Sequence, residues 1–174
     1  MAPSASAVAC HDILAAIFAP GRSTLGDTRN ITELRQSYRA ALVSSAVACR
    51  TLSHYALDVL WRELDHIYPL LKILPNYKNI DLQSMFCGAI LPEHWTRFQL
   101  YADRVRTMGH PPREGVIHKS VWLLLATRCS GSPLIPRLRK LVASELRVSE
   151  TSALFLLVSP TLRVIDISFE REDE

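Results

Sequence analysis

Glycine is scarce in this chain, with six in 174 residues. A loop that wraps phosphate in backbone N–H groups needs several, and neither G-x-x-x-x-G-K-[ST] nor G-x-G-x-x-G occurs. Cysteine is equally thin. Cys10, Cys49, Cys87 and Cys129 lie far apart with no C-x-x-C pair. That spacing argues against a disulfide framework or a zinc site, so free thiols in a reducing compartment are expected. Long apolar runs are also missing. The longest, "VWLLLA" and "ALFLLV", are sized for buried helices and fall far short of the eighteen or so residues that span a membrane. The start, "MAPSASAVACHDILAAIFAP", has no basic leading region, and His11 and Asp12 interrupt it, so it does not read as a secretory signal.

Catalytic constellations are absent as well. The six histidines form no H-x-x-x-H pair and no H-E-x-x-H, and there is no G-x-S-x-G. In "ACHD", Cys10, His11 and Asp12 are adjacent, and neighbours on a helix point in different directions. No enzyme activity, catalytic residue, cofactor or metal is expected.

What is present is apolar patterning and an uneven charge. Hydrophobic residues make up 48% and charged residues 21%, enough for a packed core. The net charge is only +3, yet His94 to Lys140 holds nine basic residues against two acidic. Glu145 to Glu174 holds seven acids against three arginines. This asymmetry points to an acidic partner for the middle of the chain, to the two regions facing each other, or, as the plainer reading, to a solvated basic face. Few aromatics interleave the arginines, so base stacking, and with it nucleic acid, is not expected.

Helical spacing dominates the first 75 residues. Residues 1–9 read as a disordered lead. Ile13, Leu14, Ile17 and Phe18 repeat on one helical face, and Pro20–Gly21 stops that helix. Asn30 and Glu33 look like a capping box opening a second helix that runs through an Ala-rich stretch with Val43 and Val47. Ser53 is placed to cap a third helix, "CRTLSHYALDVLWRELD", which carries Leu57, Leu60, Trp61 and Leu64 along one side. "YPLLKILP" follows as a short helical turn, and no strand pattern appears before residue 75.

The second half alternates. "LPEHWTRFQLYADRVRTM" starts as a helix with Pro92 near its first position and passes into a short strand. "VIHKSVWLLLATRC" is an apolar helix ended by "SGSP". "LRKLVAS" and "LRVIDIS" share the form L-R-x-[LI]-x-x-S, with leading leucines at Leu138 and Leu162 and a helical stretch between. A strand of this form returning after 20–29 residues is the pattern of a leucine-rich repeat. "ADRVRTM" reads as an earlier copy with Ala102 and Val105 in the framework places. In such repeats the residues between framework positions face outward: Arg104 and Arg106, then Arg139 and Lys140, then Arg163 and Asp166.

The order "ALDVLWRELD", "PLLKILP", "WTRFQLYADRVR" resembles fungal F-box proteins with leucine-rich repeats, over about His11 to Ser168. The fold this implies is mixed α and β, mostly α: an F-box-like helical domain over residues 10–75, then a short leucine-rich-repeat α/β solenoid segment over residues 76–174. The resemblance implies an intracellular, cytoplasmic or nuclear receptor subunit of an SCF-type cullin–RING ubiquitin ligase. Its F-box would dock the Skp adaptor and its repeats would bind a protein substrate. Carried over by position, the adaptor-facing candidates are Ile13, Leu14, Ile17 and Phe18, then Val47, Cys49, Arg50 and Leu52, with Leu57, Leu60 and Trp61 shared with the bundle core. The substrate-face candidates are Arg104, Arg106, Arg139, Lys140 and Arg163. F-boxes usually open on a Leu-Pro pair, and "AVACHD" stands in that place. A non-catalytic scaffold of the same fold without the adaptor contact is therefore the alternative reading.

Overall fold

The computed structural model describes residues 28–48, 50–80, 83–109, 116–146 and 151–169. The expected lead and first helix, with Ile13, Leu14, Ile17 and Phe18, lie outside the described residues, as does Cys49. The chain divides into two compact units, Met1–Trp61 and Arg62–Glu174.

In the first unit, α1 spans Thr28–Ala48, and α2 begins at Arg50 and runs to Arg62. Asn30 lies inside α1 and Ser53 inside α2, so neither caps its helix as the sequence suggests. Among its described residues, Leu42 and Ala56 are buried. The Ala-rich end of α1 is less enclosed than its composition predicts: Val43 and Val47 are exposed. The Ser45 hydroxyl donates back to the Ala41 carbonyl at 2.8 Å, the local bond that keeps serine inside a helix. On α2, Leu52, Leu57, Leu60 and Trp61 are half-buried. Exposed His54 pairs with Asp58 one turn on, Nδ1 to Oδ2 at 3.2 Å.

The helix does not continue to Asp65. Glu63–Leu64 is a short strand, β1, which corrects the expectation of an all-helical first 75 residues. The cause is non-local: Glu63 and Leu64 pair in parallel with Thr107 and Met108 of β4 (Thr107–Gly109). After β1 come α3 (Tyr68–Leu71), the hairpin strands β2 (Tyr77–Ile80) and β3 (Gln83–Phe86), and α4 (Pro92–Ala102). Beyond β4 lie β5 (Val116–Ile117), α5 (Lys119–Cys129), β6 (Lys140–Leu146), α6 (Thr151–Leu157) and β7 (Val164–Phe169).

Two sheets form. A small one has the order β2-β3-β5, with β2 and β3 antiparallel and Tyr77 against Phe86, rings 5.5 Å apart. The larger has the order β1-β4-β6-β7, all parallel, its members lying side by side in chain order with β2, β3 and β5 diverted to the small sheet. About half of the described residues are helical, and the larger sheet is the parallel frame that the helices of this unit join.

Each of the last three strands is entered by the same turn. Val105 donates its N–H to Ala102, Leu138 to Ile135 and Leu162 to Ser159, an i to i+3 bond every time. Proline is the second residue of the last two turns, Pro136 and Pro160, where its fixed φ suits the bend. The registers place Met108 beside Leu141 and Leu141 beside Ile165. The register of this strand thus lies three residues from the one expected for the earlier copy. Val105 and Met108 match Leu138 and Leu141, whereas Ala102 matches the turn residue Ile135.

The core follows from this register. Leu64, Met108 and Leu141 share one row and are buried; Val105 and Leu138 sit three residues earlier and are fully buried. Phe98 and Ala102 of α4, and Val121 and Leu125 of α5, are also buried. Trp95 stacks on Phe98 at 4.9 Å. Ile165, at the open edge of the sheet, is 54% exposed although its row-mates are buried. α5 starts at His118, whose Nδ1 accepts from the Ser120 N–H, and ends on Ser130 in the left-handed region, as "SGSP" predicts.

Candidate interaction surface

The four parallel strands bring one residue type to one level. Arg106 donates its backbone N–H to the Arg62 carbonyl, Arg139 to the Arg106 carbonyl and Arg163 to the Arg139 carbonyl, each at 2.8 Å. Arg62, Arg106, Arg139 and Arg163 thus form a row at the strand-entry end of the sheet, one arginine per strand. Each arginine immediately precedes its strand, and neighbouring strands lie about 4.8 Å apart. Arg62, Arg139 and Arg163 are exposed, and Arg106 is half-buried.

Three of these arginines are among the substrate-face candidates. Arg62 is not, and a signal for it was present: "WREL", "VRTM", "LRKL" and "LRVI" all read apolar, Arg, any, apolar. The other two candidates stand off the row. Arg104 is half-buried within the entry turn, and Lys140 is exposed one step further along, level with Glu63, Thr107 and Val164. Asp166 is level with Val142, two steps further still. The outward basic residues thus occupy three levels, with the arginines concentrated in one.

Like charges at this spacing repel, and the local partners offset only part of it. Arg137 pairs with Asp103, Nε to Oδ1 at 3.1 Å. The Arg106 guanidinium donates to the carbonyls of Asp103 (2.6 Å) and Val105 (3.0 Å), across its own entry turn. Burial holds Arg106 below its usual basicity, Arg137 pushes the same way, Asp103 opposes, and Arg139 and Arg62 add further depression. An arginine side chain keeps its proton under any ordinary condition. The row is therefore a standing positive potential of guanidinium donors, suited to carboxylate or phosphate oxygens.

No other chemistry stands out. Among the described residues no group of three His, Cys, Asp or Glu side chains could hold a metal ion. No described helix is long and apolar enough to cross a membrane. Of the adaptor-facing candidates, Val47 is 83% exposed on α1, and Leu52, Leu57, Leu60 and Trp61 share α2. Arg50 is the first residue of α2.

Comparison with family models, with curated proteins and with solved structures returns no match.

Proposed function

We propose that this chain is a substrate-recognition subunit of an SCF-type cullin–RING ubiquitin ligase. Its N-terminal helical segment is an F-box-like unit that docks the Skp adaptor, and its parallel sheet is a short leucine-rich-repeat array that receives a protein substrate. On this reading the chain supplies no catalytic group and acts in the cytoplasm or nucleus. The observation that carries the proposal is the repeated entry turn and strand: the same bonded turn, the same apolar framework and the same arginine, with strands stacked in chain order. Sheets built this way from successive turn–strand–helix units are the architecture of repeat proteins, whose work is binding. The order of "ALDVLWRELD" and "PLLKILP" ahead of that array supports the adaptor half of the reading.

The full-length protein is tested by co-purification with a Skp adaptor, alongside Ile17→Asp and Phe18→Asp. Wild type retains the adaptor; each variant keeps its circular dichroism spectrum and loses the adaptor. Folded wild type that does not retain the adaptor would sink the receptor reading and leave a binding scaffold. Variants that unfold would make Ile17 and Phe18 core residues and remove them from the docking surface.

A further inference from the structure

The arginine row has a geometry more specific than a basic patch. Four arginines, each the residue just before a strand of the parallel sheet, are tied one to the next by backbone bonds of 2.8 Å. At about 4.8 Å per strand the row spans about 14 Å and runs across the strands, not along them. An extended peptide places alternate side chains about 6.8 Å apart on one face, so residues i, i+2 and i+4 also span about 14 Å. We propose that the row binds an extended acidic segment of a protein partner, laid across the strand-entry end of the sheet with acidic side chains at alternate positions.

Three observations favour this occupant. The charge is complementary, and the Asp103 carboxylate is held by Arg137. Arg62, Arg139 and Arg163 are exposed, so their donors face solvent. Single-stranded nucleic acid has a comparable charge spacing, but it is gripped by aromatic rings between the cations. The strand starts "RELD", "RTMG", "RKLV" and "RVID" contain no aromatic residue. The inference rests on the proposed function only in taking the sheet as the substrate-binding part; it does not depend on the adaptor.

The experiment measures fluorescence anisotropy of a labelled peptide with glutamate at three alternate positions, titrated with the full-length protein. The same peptide with glutamine at those positions and a labelled oligothymidine are run beside it. The glutamate peptide is expected to bind and the glutamine peptide is not. Arg139→Gln and Arg163→Gln each weaken binding about fivefold with an unchanged melting temperature, and Lys119→Gln, at the start of α5, leaves binding unchanged. Absence of glutamate-peptide binding overturns the proposal. So does an equal loss with Lys119→Gln, or oligothymidine binding as tightly as the peptide with the same sensitivity to the arginine variants, which makes the row a general polyanion site. Adaptor retention is measured on the same preparations. Adaptor binding without peptide binding overturns this inference alone, and peptide binding without adaptor binding supports it while removing the receptor reading.

Discussion

Replacing Gly109 with alanine tests how tightly the first strand is seated. Gly109 closes β4, one step beyond the paired Leu64 and Met108, and faces the backbone of Asp65. A Cβ built there lies 2.3 Å from the Asp65 carbonyl oxygen and 3.1 Å from its carbonyl carbon. Both atoms are backbone, so no rotamer change relieves the clash. Restoring normal contact requires β1 and β4 to part by about 1 Å. A 2.8 Å bond such as Arg106 N–H to the Arg62 carbonyl does not survive that displacement. Losing one or two such bonds costs about 1 kcal/mol each, and the residual crowding about 1–2 kcal/mol. The expected destabilisation is about 2–4 kcal/mol, or about 4–16 °C in melting temperature. Gly131→Ala is the control. Gly131 has a φ of +86° with nothing near its missing side chain, so it bears only the backbone cost of about 1 kcal/mol. Urea denaturation followed by circular dichroism reads both. A Gly109→Ala midpoint equal to wild type would refute the parallel pairing of β1 with β4.

Further outcomes follow from the same packing. Phe98→Ala empties a fully buried site and its stack with Trp95, costing about 3–5 kcal/mol in urea denaturation; under 1 kcal/mol would place Phe98 outside the core. The Leu138 carbonyl accepts from the hydroxyls of Ser159 (2.9 Å) and Thr161 (2.8 Å). Ser159→Ala and Thr161→Val should each cost about 1 kcal/mol or less, and the double variant more than their sum because the carbonyl then loses both donors; simple additivity counts against the shared bracket. Burial pushes Tyr77 up to about 12. The unfolded chain ionises at an ordinary tyrosine pKa near 10, so this contribution is intact below pH 10 and is lost as pH rises from 10 through 12. The urea midpoint should fall less steeply there in Tyr77→Phe than in wild type, and equal slopes would assign the fall elsewhere. Cys87 is exposed, whereas burial raises the half-buried Cys129 thiol, so iodoacetamide should modify Cys87 first in the native protein. The reverse order, read by peptide mass, would contradict the packing around α5.

Sequence carried the elements whose signals are local. Pro92 opens α4, "SGSP" closes α5, and the strands after Leu138 and Leu162 pair at their 24-residue spacing, Lys140 beside Val164. The features it did not carry depend on distant parts of the chain. "LWRELD" continues the helical spacing of α2, and only pairing with β4 makes Glu63–Leu64 a strand. Ala102 is as apolar and as buried as a framework residue, so the spacing alone drew the earlier copy back by three positions. The hairpin strands "YKNI" and "QSMF" are short and largely polar, and their pairing is likewise non-local in its support from β5. The same effect hid Arg62. It belongs to the row because β1, which follows it, joins the sheet, and its own neighbourhood is helix.

The proposed receptor would join an adaptor to a substrate, and adaptor docking is the half most directly measured. Isothermal titration of purified Skp adaptor into the full-length protein should give saturable one-to-one binding at micromolar concentration or tighter, absent with Phe18→Asp. No heat and no complex at tens of micromolar, with the protein shown to be folded by its melting transition, would contradict it.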